Sequence, residues 1–102
     1  MSPDSGDRPD IVVVGGAGHV GLPLSLKLAQ AGHRVGILDV SQDALDQIAS
    51  AQMPFAERGA DELLAEVLPT GRLTFGTEPS MIDKVRVVIV VIGTPIDEFM
   101  NP

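Results

Sequence analysis

The residues best suited to binding chemistry lie near the start of the chain, in the segment Gly16-Ala17-Gly18-His19-Val20-Gly21. The segment follows a β-branched run and precedes a leucine-rich one, so it joins a predicted strand to a predicted helix. Gly16 allows a tight turn, Gly18 lets the backbone approach a pyrophosphate without an intervening Cβ, and Gly21 lets the helix pack close to the strand. Free N–H groups and the positive end of the helix would bind the phosphates. This segment, the glycine turn, therefore predicts a dinucleotide site.

An acidic side chain stands where the ribose of such a dinucleotide would lie. Asp39 follows the glycine turn by about 20 residues and ends the segment Arg34-Val-Gly-Ile-Leu-Asp39, which predicts a second strand. A carboxylate there can accept hydrogen bonds from the adenosine ribose hydroxyls, and its charge would repel a 2′-phosphate. We therefore expect NAD rather than NADP as the cofactor.

Thr94 is a further candidate for cofactor binding, because it follows the last predicted strand and would face the same crevice as the glycine turn. The alternative is that Thr94 and Pro95 only end that strand, since proline cannot continue a hydrogen-bonded ladder.

For His19 we expect the backbone N–H to contact the diphosphate and the imidazole to lie in solvent. Phe55 is expected to be a packing residue.

The composition excludes several classes of function. The chain has no cysteine and two histidines, which excludes a thiol nucleophile and argues against a metal site. A formal net charge of −7 disfavours partners such as nucleic acid or anionic lipid. No apolar stretch reaches the roughly 18–20 residues of a membrane-spanning helix, and the polar first residues are unlike a secretory signal. We expect a cytoplasmic protein with no catalytic residue and no metal ligand.

The elements that must position the site alternate between strand and helix. Hydrophobic patterning predicts strands at residues 10–14, 34–39, 72–75 and 86–92, helices at 22–31, 41–50 and 60–68, and a helical turn at 78–83. The leucines after the glycine turn alternate as in a strand. However, Leu22, Leu26 and Ala29 also form one helical face, and Pro23 suits a first helical turn. We therefore predict a helix there.

Strands that alternate with helices imply right-handed crossovers and a parallel sheet. We predict an α/β fold, a Rossmann-type doubly wound parallel sheet with about four strands in the order 3-2-1-4. The ends of the first and fourth strands would flank the ligand crevice. Residues 1–9 are expected to be a disordered tail, and residues 10–102 an NAD-binding domain.

The sequence from Asp10 to Asp97 resembles the UDP-glucose/GDP-mannose dehydrogenase family, specifically its N-terminal NAD-binding domain. The resemblance rests on the glycine turn followed by Leu22-Pro23, on Asp39, on Pro54-Phe-Ala-Glu-Arg-Gly59 followed by Leu63-Leu64, and on Gly93-Thr-Pro-Ile-Asp97. It implies that residues 16–20 bind the diphosphate of NAD, Asp39 the adenosine ribose, and Thr94 the cofactor. One departure is that many relatives have a basic residue about five positions after the acid, where this chain has Gln42, Asp43 and Ala44.

The resemblance also implies a reaction. Family members oxidise the C6 hydroxymethyl group of a nucleotide sugar, such as UDP-glucose or a UDP-N-acetylhexosamine, to a carboxylate. They consume two NAD and form a thiohemiacetal on a cysteine. The family's catalytic cysteine, lysine and asparagine lie far downstream, and this chain has no cysteine. We therefore expect a fragment that binds NAD, is inactive alone, and meets a nucleotide sugar only together with downstream domains.

Two other functions share the same opening pattern. One is a regulatory nucleotide-binding module of the kind that gates potassium uptake, and the other is the first half of a 3-hydroxyacid-type dehydrogenase. The regulatory module is disfavoured by Leu22-Pro23, by the loop Phe55–Gly59 and by Thr94-Pro95.

The predicted strand order also makes residues 86–92 an edge strand composed almost wholly of Val and Ile, which exposed edges avoid. We expect another strand, another chain or self-association at this edge.

Overall fold

Four parallel strands form one sheet in the order β3-β2-β1-β4, as the sequence predicts. The computed structural model describes residues 9–83 and 85–91. The strands are β1 Ile11–Val14, β2 Val35–Leu38, β3 Leu73–Gly76 and β4 Val87–Val90. Val14 pairs with both Leu38 and Val90, so β1, β2 and β4 end level at the carboxyl edge of the sheet. The strand order reverses between β1 and β4, and ligands bind at such a point in open α/β sheets.

Helices and short 3-10 turns connect the strands. The helices are α1 Gly21–Gln30, α2 Gln42–Ala49 and α3 Ala60–Val67, and the 3-10 turns are Leu68–Thr70 and Pro79–Ile82. Pro23 lies in the first turn of α1, where its missing N–H costs no helical hydrogen bond. The helix ends at Gln30, and Gly32 terminates it, because its φ of +111° lets the N–H of His33 donate to the carbonyl oxygen of Leu28 at 3.1 Å. The helical prediction for the alternating leucines is therefore confirmed.

The hydrophobic core lies between one face of the sheet and the three helices. Alternate residues of a strand share a face, so Val13, Val35 and Ile37 point to the same side and are fully buried. They pack in one cluster with the buried side chains of the helices, namely Leu22, Leu26, Ala29, Leu45, Ile48, Leu64 and Val67. This layer fixes α1 against β1 and β2, and therefore fixes the glycine turn that joins β1 to α1.

The opposite face of the sheet is contacted by a short 3-10 turn. Met81, from the 3-10 turn Pro79–Ile82, lies over the glycines of β2 and β3. A Cβ built on Gly36 would be 2.7 Å from Met81 Cε, and one built on Gly76 would be 2.9 Å from Met81 Sδ. The two glycines therefore let this turn approach the sheet next to the end of β2, where Asp39 follows.

The outer edge of β4 is unpaired in the described part of the chain. Val87, Val88 and Val90 are 45%, 41% and 59% exposed, unlike the buried valines of β1. In residues 9–83 and 85–91, no helix is long and apolar enough to cross a membrane.

Candidate functional site

The glycine turn begins directly at the end of β1. The N–H groups of Gly15 and Gly16 both donate to the carbonyl oxygen of Leu38, at 2.8 and 3.3 Å, which ties the turn to β2. The left-handed residue is Gly15, with φ of +83°, one position before the six-residue motif. A Cβ on Gly15 would lie 2.5 Å from the carbonyl oxygen of Val91. The sharp reversal therefore depends on Gly15 as well as on the motif that follows.

The first and last glycines of the motif are required by packing within the chain. A Cβ on Gly16 would lie 2.8 Å from the carbonyl oxygen of Val13 and 2.9 Å from Ile37 Cγ2. A Cβ on Gly21 would collide with the carbonyl oxygen of Gly15. Because neither residue has a side chain, α1 can start in direct contact with the turn and the strand ends.

Gly18 differs from the other two glycines of the motif. A Cβ there would meet only the carbonyl oxygen of Gly15 at 3.5 Å, an ordinary van der Waals distance, and Gly18 is exposed. Its φ does not lie in the left-handed region. The described residues therefore give no packing reason for a glycine here, and its missing side chain leaves open space on the outer side of the turn.

Backbone donors without carbonyl partners line this open space. The N–H of Gly18 donates to the carbonyl oxygen of Gly15 at 3.2 Å, and the N–H of Leu22 donates to that of Gly18 at 3.0 Å. Between them, none of the hydrogen bonds among the described residues has the N–H of His19, Val20 or Gly21 as its donor. These N–H groups lie at the first residue of α1 and at the two residues before it, where the helix dipole favours negative charge. The arrangement can bind an anionic group such as a diphosphate.

Asp39 lies directly against the glycine turn. Its Oδ2 accepts the N–H of Ala17 at 3.0 Å, and its Oδ1 accepts the N–H of Ser41 at 3.2 Å. The Ser41 hydroxyl in turn accepts the N–H of Ala44 at 3.2 Å and caps α2. The tertiary structure therefore brings together the turn and the carboxylate that the sequence singled out separately, and it directs the Ala17 N–H at the carboxylate.

An apolar cavity of about 410 Å³ opens beside Asp39. Apart from Asp39, its lining has no charged side chain, and it includes Val14, Leu38, Val40, Pro79, Ile82 and Val91. The cavity can hold a flat apolar group whose polar end reaches the carboxylate. Pro79 and Ile82 are not among the site residues predicted from the sequence. The only signal was the predicted helical turn at 78–83, which did not reveal that it lies at the carboxyl edge of the sheet.

His19 and Phe55 form an aromatic pair. Their ring centroids are 4.2 Å apart with an interplanar angle of 64°, an edge-to-face arrangement. The sequence predicts that the His19 imidazole lies in solvent. His19 is exposed as expected, but one side of its ring lies against Phe55. No local pattern pointed to this contact, because Phe55 comes from the distant loop between α2 and α3.

Thr94, the remaining predicted contact, lies outside the described residues, as does the segment Gly93-Thr-Pro-Ile-Asp97. The last described residue of that region is Val91. Its N–H donates to the carbonyl oxygen of Val14 at 2.9 Å. The end of β4 therefore lies next to the start of the glycine turn.

Comparison with known proteins gives concordant results. The model of the UDP-glucose/GDP-mannose dehydrogenase family, NAD binding domain, matches residues 10–101. The chain is 37% identical over 83 residues to GDP-mannose 6-dehydrogenase of Azotobacter vinelandii, which is 78% of this chain and 19% of that protein. It is 29% identical over 85 residues to UDP-glucose 6-dehydrogenase YwqF of Bacillus subtilis, which is 82% of this chain and 19% of that protein.

A solved structure, GDP-mannose dehydrogenase of Pseudomonas aeruginosa in a ternary complex, matches with a TM-score of 0.78 at 32% identity. The match covers 84% of this chain and 20% of that one. The chain therefore spans about one fifth of the length of the relatives that it matches.

Proposed function

Because this chain belongs to the UDP-glucose/GDP-mannose dehydrogenase family, with NAD as the family's cofactor, we propose that it is the NAD-binding domain of a nucleotide-sugar 6-dehydrogenase. The proposed substrate of the whole enzyme is UDP-glucose or a UDP-N-acetylhexosamine, oxidised to the uronic acid with two NAD for polysaccharide biosynthesis. The observation that carries the proposal is the hydrogen bond of 3.0 Å between Asp39 and the glycine turn. It supports the proposal because the carboxylate proposed to bind ribose and the turn proposed to bind phosphate are in direct contact.

The glycine turn is the proposed diphosphate site. The N–H groups of His19, Val20 and Gly21 lie at the start of α1 and lack carbonyl partners among the described residues. The bare backbone at Gly18 leaves the space that a phosphate needs for close approach. Main-chain dipoles also explain how a chain with a net charge of −7 could bind an anion.

Asp39 is the proposed ligand of the adenosine ribose. Each of its oxygens already accepts one backbone N–H and has capacity for a second donor. The two ribose hydroxyls can supply such donors, whereas a 2′-phosphate would replace one donor with a negative charge. The apolar cavity beside Asp39 is the proposed adenine site, because its lining is apolar apart from Asp39 and Thr77 and lies next to the carboxylate.

NAD, when bound, accepts a hydride from the alcohol carbon of the substrate. The residues of this chain bind and orient the cofactor for that step. Thr94, which follows β4 in the sequence, is a further proposed cofactor contact. The 102 residues contain no cysteine, the nucleophile that the family resemblance implies, which supports a domain that binds NAD but is inactive alone. A cytoplasmic location is also proposed.

Calorimetric titration with NAD and NADP tests this proposal. We expect the chain to bind NAD and to bind NADP more weakly, because Asp39 repels the 2′-phosphate. Asp39→Asn removes the charge and one acceptor, so NAD affinity should fall about 10-fold or more and the preference over NADP should shrink. Asp61→Asn changes the same charge on α3 and serves as the matched control. Equal affinities of the unmodified chain for NAD and NADP would contradict the role of Asp39.

A further inference from the structure

Phe55 reaches the glycine turn from the loop between α2 and α3. Its ring is half-buried and packs against the core cluster on one side. On the other side it meets the His19 ring, with the centroids 4.2 Å apart in an edge-to-face arrangement. Edge-to-face aromatic pairs are favourable beyond the apolar area that they bury. Phe55 therefore links the exposed imidazole of His19 to the rigid interior of the domain.

One peptide group of the glycine turn, the one between His19 and Val20, has no backbone hydrogen bond among the described residues. The N–H of Leu22 donates to the carbonyl oxygen of Gly18, which fixes the peptide plane that carries the His19 N–H. The N–H of Leu24 donates to the carbonyl oxygen of Val20, which in the same way fixes the plane that carries the Gly21 N–H. His19 and Val20 are exposed, and the Val20 side chain is 66% exposed. The direction of the Val20 N–H, one of the donors proposed to bind the diphosphate, therefore depends on what restrains His19.

We propose that Phe55 is a positioning residue for the diphosphate of the cofactor and acts through His19. The ring contact restricts the His19 residue, and this holds the N–H of Val20 in its binding direction before the ligand arrives. A turn that is ordered in advance loses less conformational entropy on binding, so the affinity is higher. The inference rests on the proposed function of the glycine turn, and it adds a residue from a separate loop to the site.

A double-mutant cycle on the 102-residue chain tests whether the two rings act as a unit. Phe55→Leu should raise the Kd for NAD by about 3- to 10-fold, the size expected for one aromatic pair. His19→Ala should have a similar effect, and adding Phe55→Leu to it should change the Kd little further. Phe55→Tyr keeps the aromatic ring, so its Kd for NAD should stay within about twofold of that of the unmodified chain. An unchanged Kd in Phe55→Leu, or fully multiplicative effects of the two changes, would overturn the proposal.

Met53→Ala separates positioning from general stability. Met53 lies in the same loop and also packs against the core cluster. Its truncation should lower the melting temperature while leaving the Kd for NAD unchanged. If Met53→Ala and Phe55→Leu weaken binding equally at equal loss of stability, Phe55 is a packing residue only and the proposal fails.

A measurement without ligand distinguishes this inference from the proposed function. In ¹⁵N relaxation experiments on the free chain, Phe55→Leu should lower the order parameter of the Val20 amide, from a rigid value of about 0.85 towards 0.6. If it falls but the unmodified chain does not bind NAD, the positioning is supported and the proposed function fails. If it does not change, the positioning is wrong whatever the affinity for NAD.

Discussion

A side chain would meet different surroundings at each of the three glycines of the turn. At Gly16 and Gly21 it would collide with backbone oxygens, of Val13 and Gly15 respectively. At Gly18 it would make only an ordinary contact. The first two glycines therefore serve the packing of α1 against the strands, whereas the open space at Gly18 serves the proposed ligand. Different glycines of one short segment are therefore required for folding and for the proposed binding.

This difference predicts opposite phenotypes for two substitutions. Gly18→Leu should fold normally but raise the Kd for NAD at least about 100-fold, because its side chain would fill the space needed by the diphosphate. Gly16→Ala, the matched control, should lower the free energy of unfolding by about 1–3 kcal/mol, because its Cβ would overlap a backbone oxygen. Calorimetry with NAD and thermal unfolding would measure the two effects. Normal NAD binding by Gly18→Leu would disprove the assignment of the diphosphate site.

At the scale of elements, β4 stands out because its surroundings do not match its composition. Its four residues are Val and Ile, as in a strand covered on both faces, but Val88 and Val90 are about half exposed and its outer edge is unpaired in the described part of the chain. An apolar edge of this kind is a template for pairing with another strand. We therefore expect the isolated chain to self-associate through β4.

A charged substitution in β4 tests this expectation. Val88→Lys places an ammonium group on the exposed face of the strand and should shift the chain towards monomer in sedimentation experiments at high concentration. Val40→Lys is the control, because Val40 is a 94% exposed valine that lies outside every strand. If the unmodified chain is monomeric at all concentrations, or if both variants reduce association equally, β4 does not mediate it.

At the scale of the whole molecule, we expect this chain to bind NAD without oxidising a nucleotide sugar. The site assembled here contains backbone donors, one carboxylate and an apolar cavity. Under the proposed function these groups hold the dinucleotide, whereas the cysteine nucleophile that the family resemblance implies is not among the 102 residues. The chain also spans about one fifth of the length of its relatives.

An absorbance assay tests this separation. The chain mixed with NAD and UDP-glucose, or with NAD and a UDP-N-acetylhexosamine, should produce no NADH above background, although calorimetry detects NAD. The matching positive control is a full-length relative such as UDP-glucose 6-dehydrogenase of Bacillus subtilis, assayed under the same conditions. NADH production by the 102 residues would refute the expectation that the chain is inactive alone.

The sequence by itself determined the local elements and the topology. Apolar runs of β-branched residues, the helical face of Leu22, Leu26 and Ala29, and the position of Pro23 are local signals, and each reports on the neighbouring backbone. Right-handed crossovers then leave few ways to order parallel strands, so the order 3-2-1-4 could be predicted. The glycine turn and Asp39 were identifiable for the same reason, since each stands at the end of a predicted strand.

Only the tertiary structure decided which distant groups touch. The pairing of β1 with β2 sets Asp39 at 3.0 Å from the Ala17 N–H, the turn Pro79–Ile82 forms one wall of the apolar cavity, and Phe55 meets His19. These contacts join segments that lie far apart in the sequence and leave no periodic trace in it. They arise from the packing of helices and turns on the two faces of the sheet. This packing depends on how elements from distant parts of the sequence fit together in the folded chain.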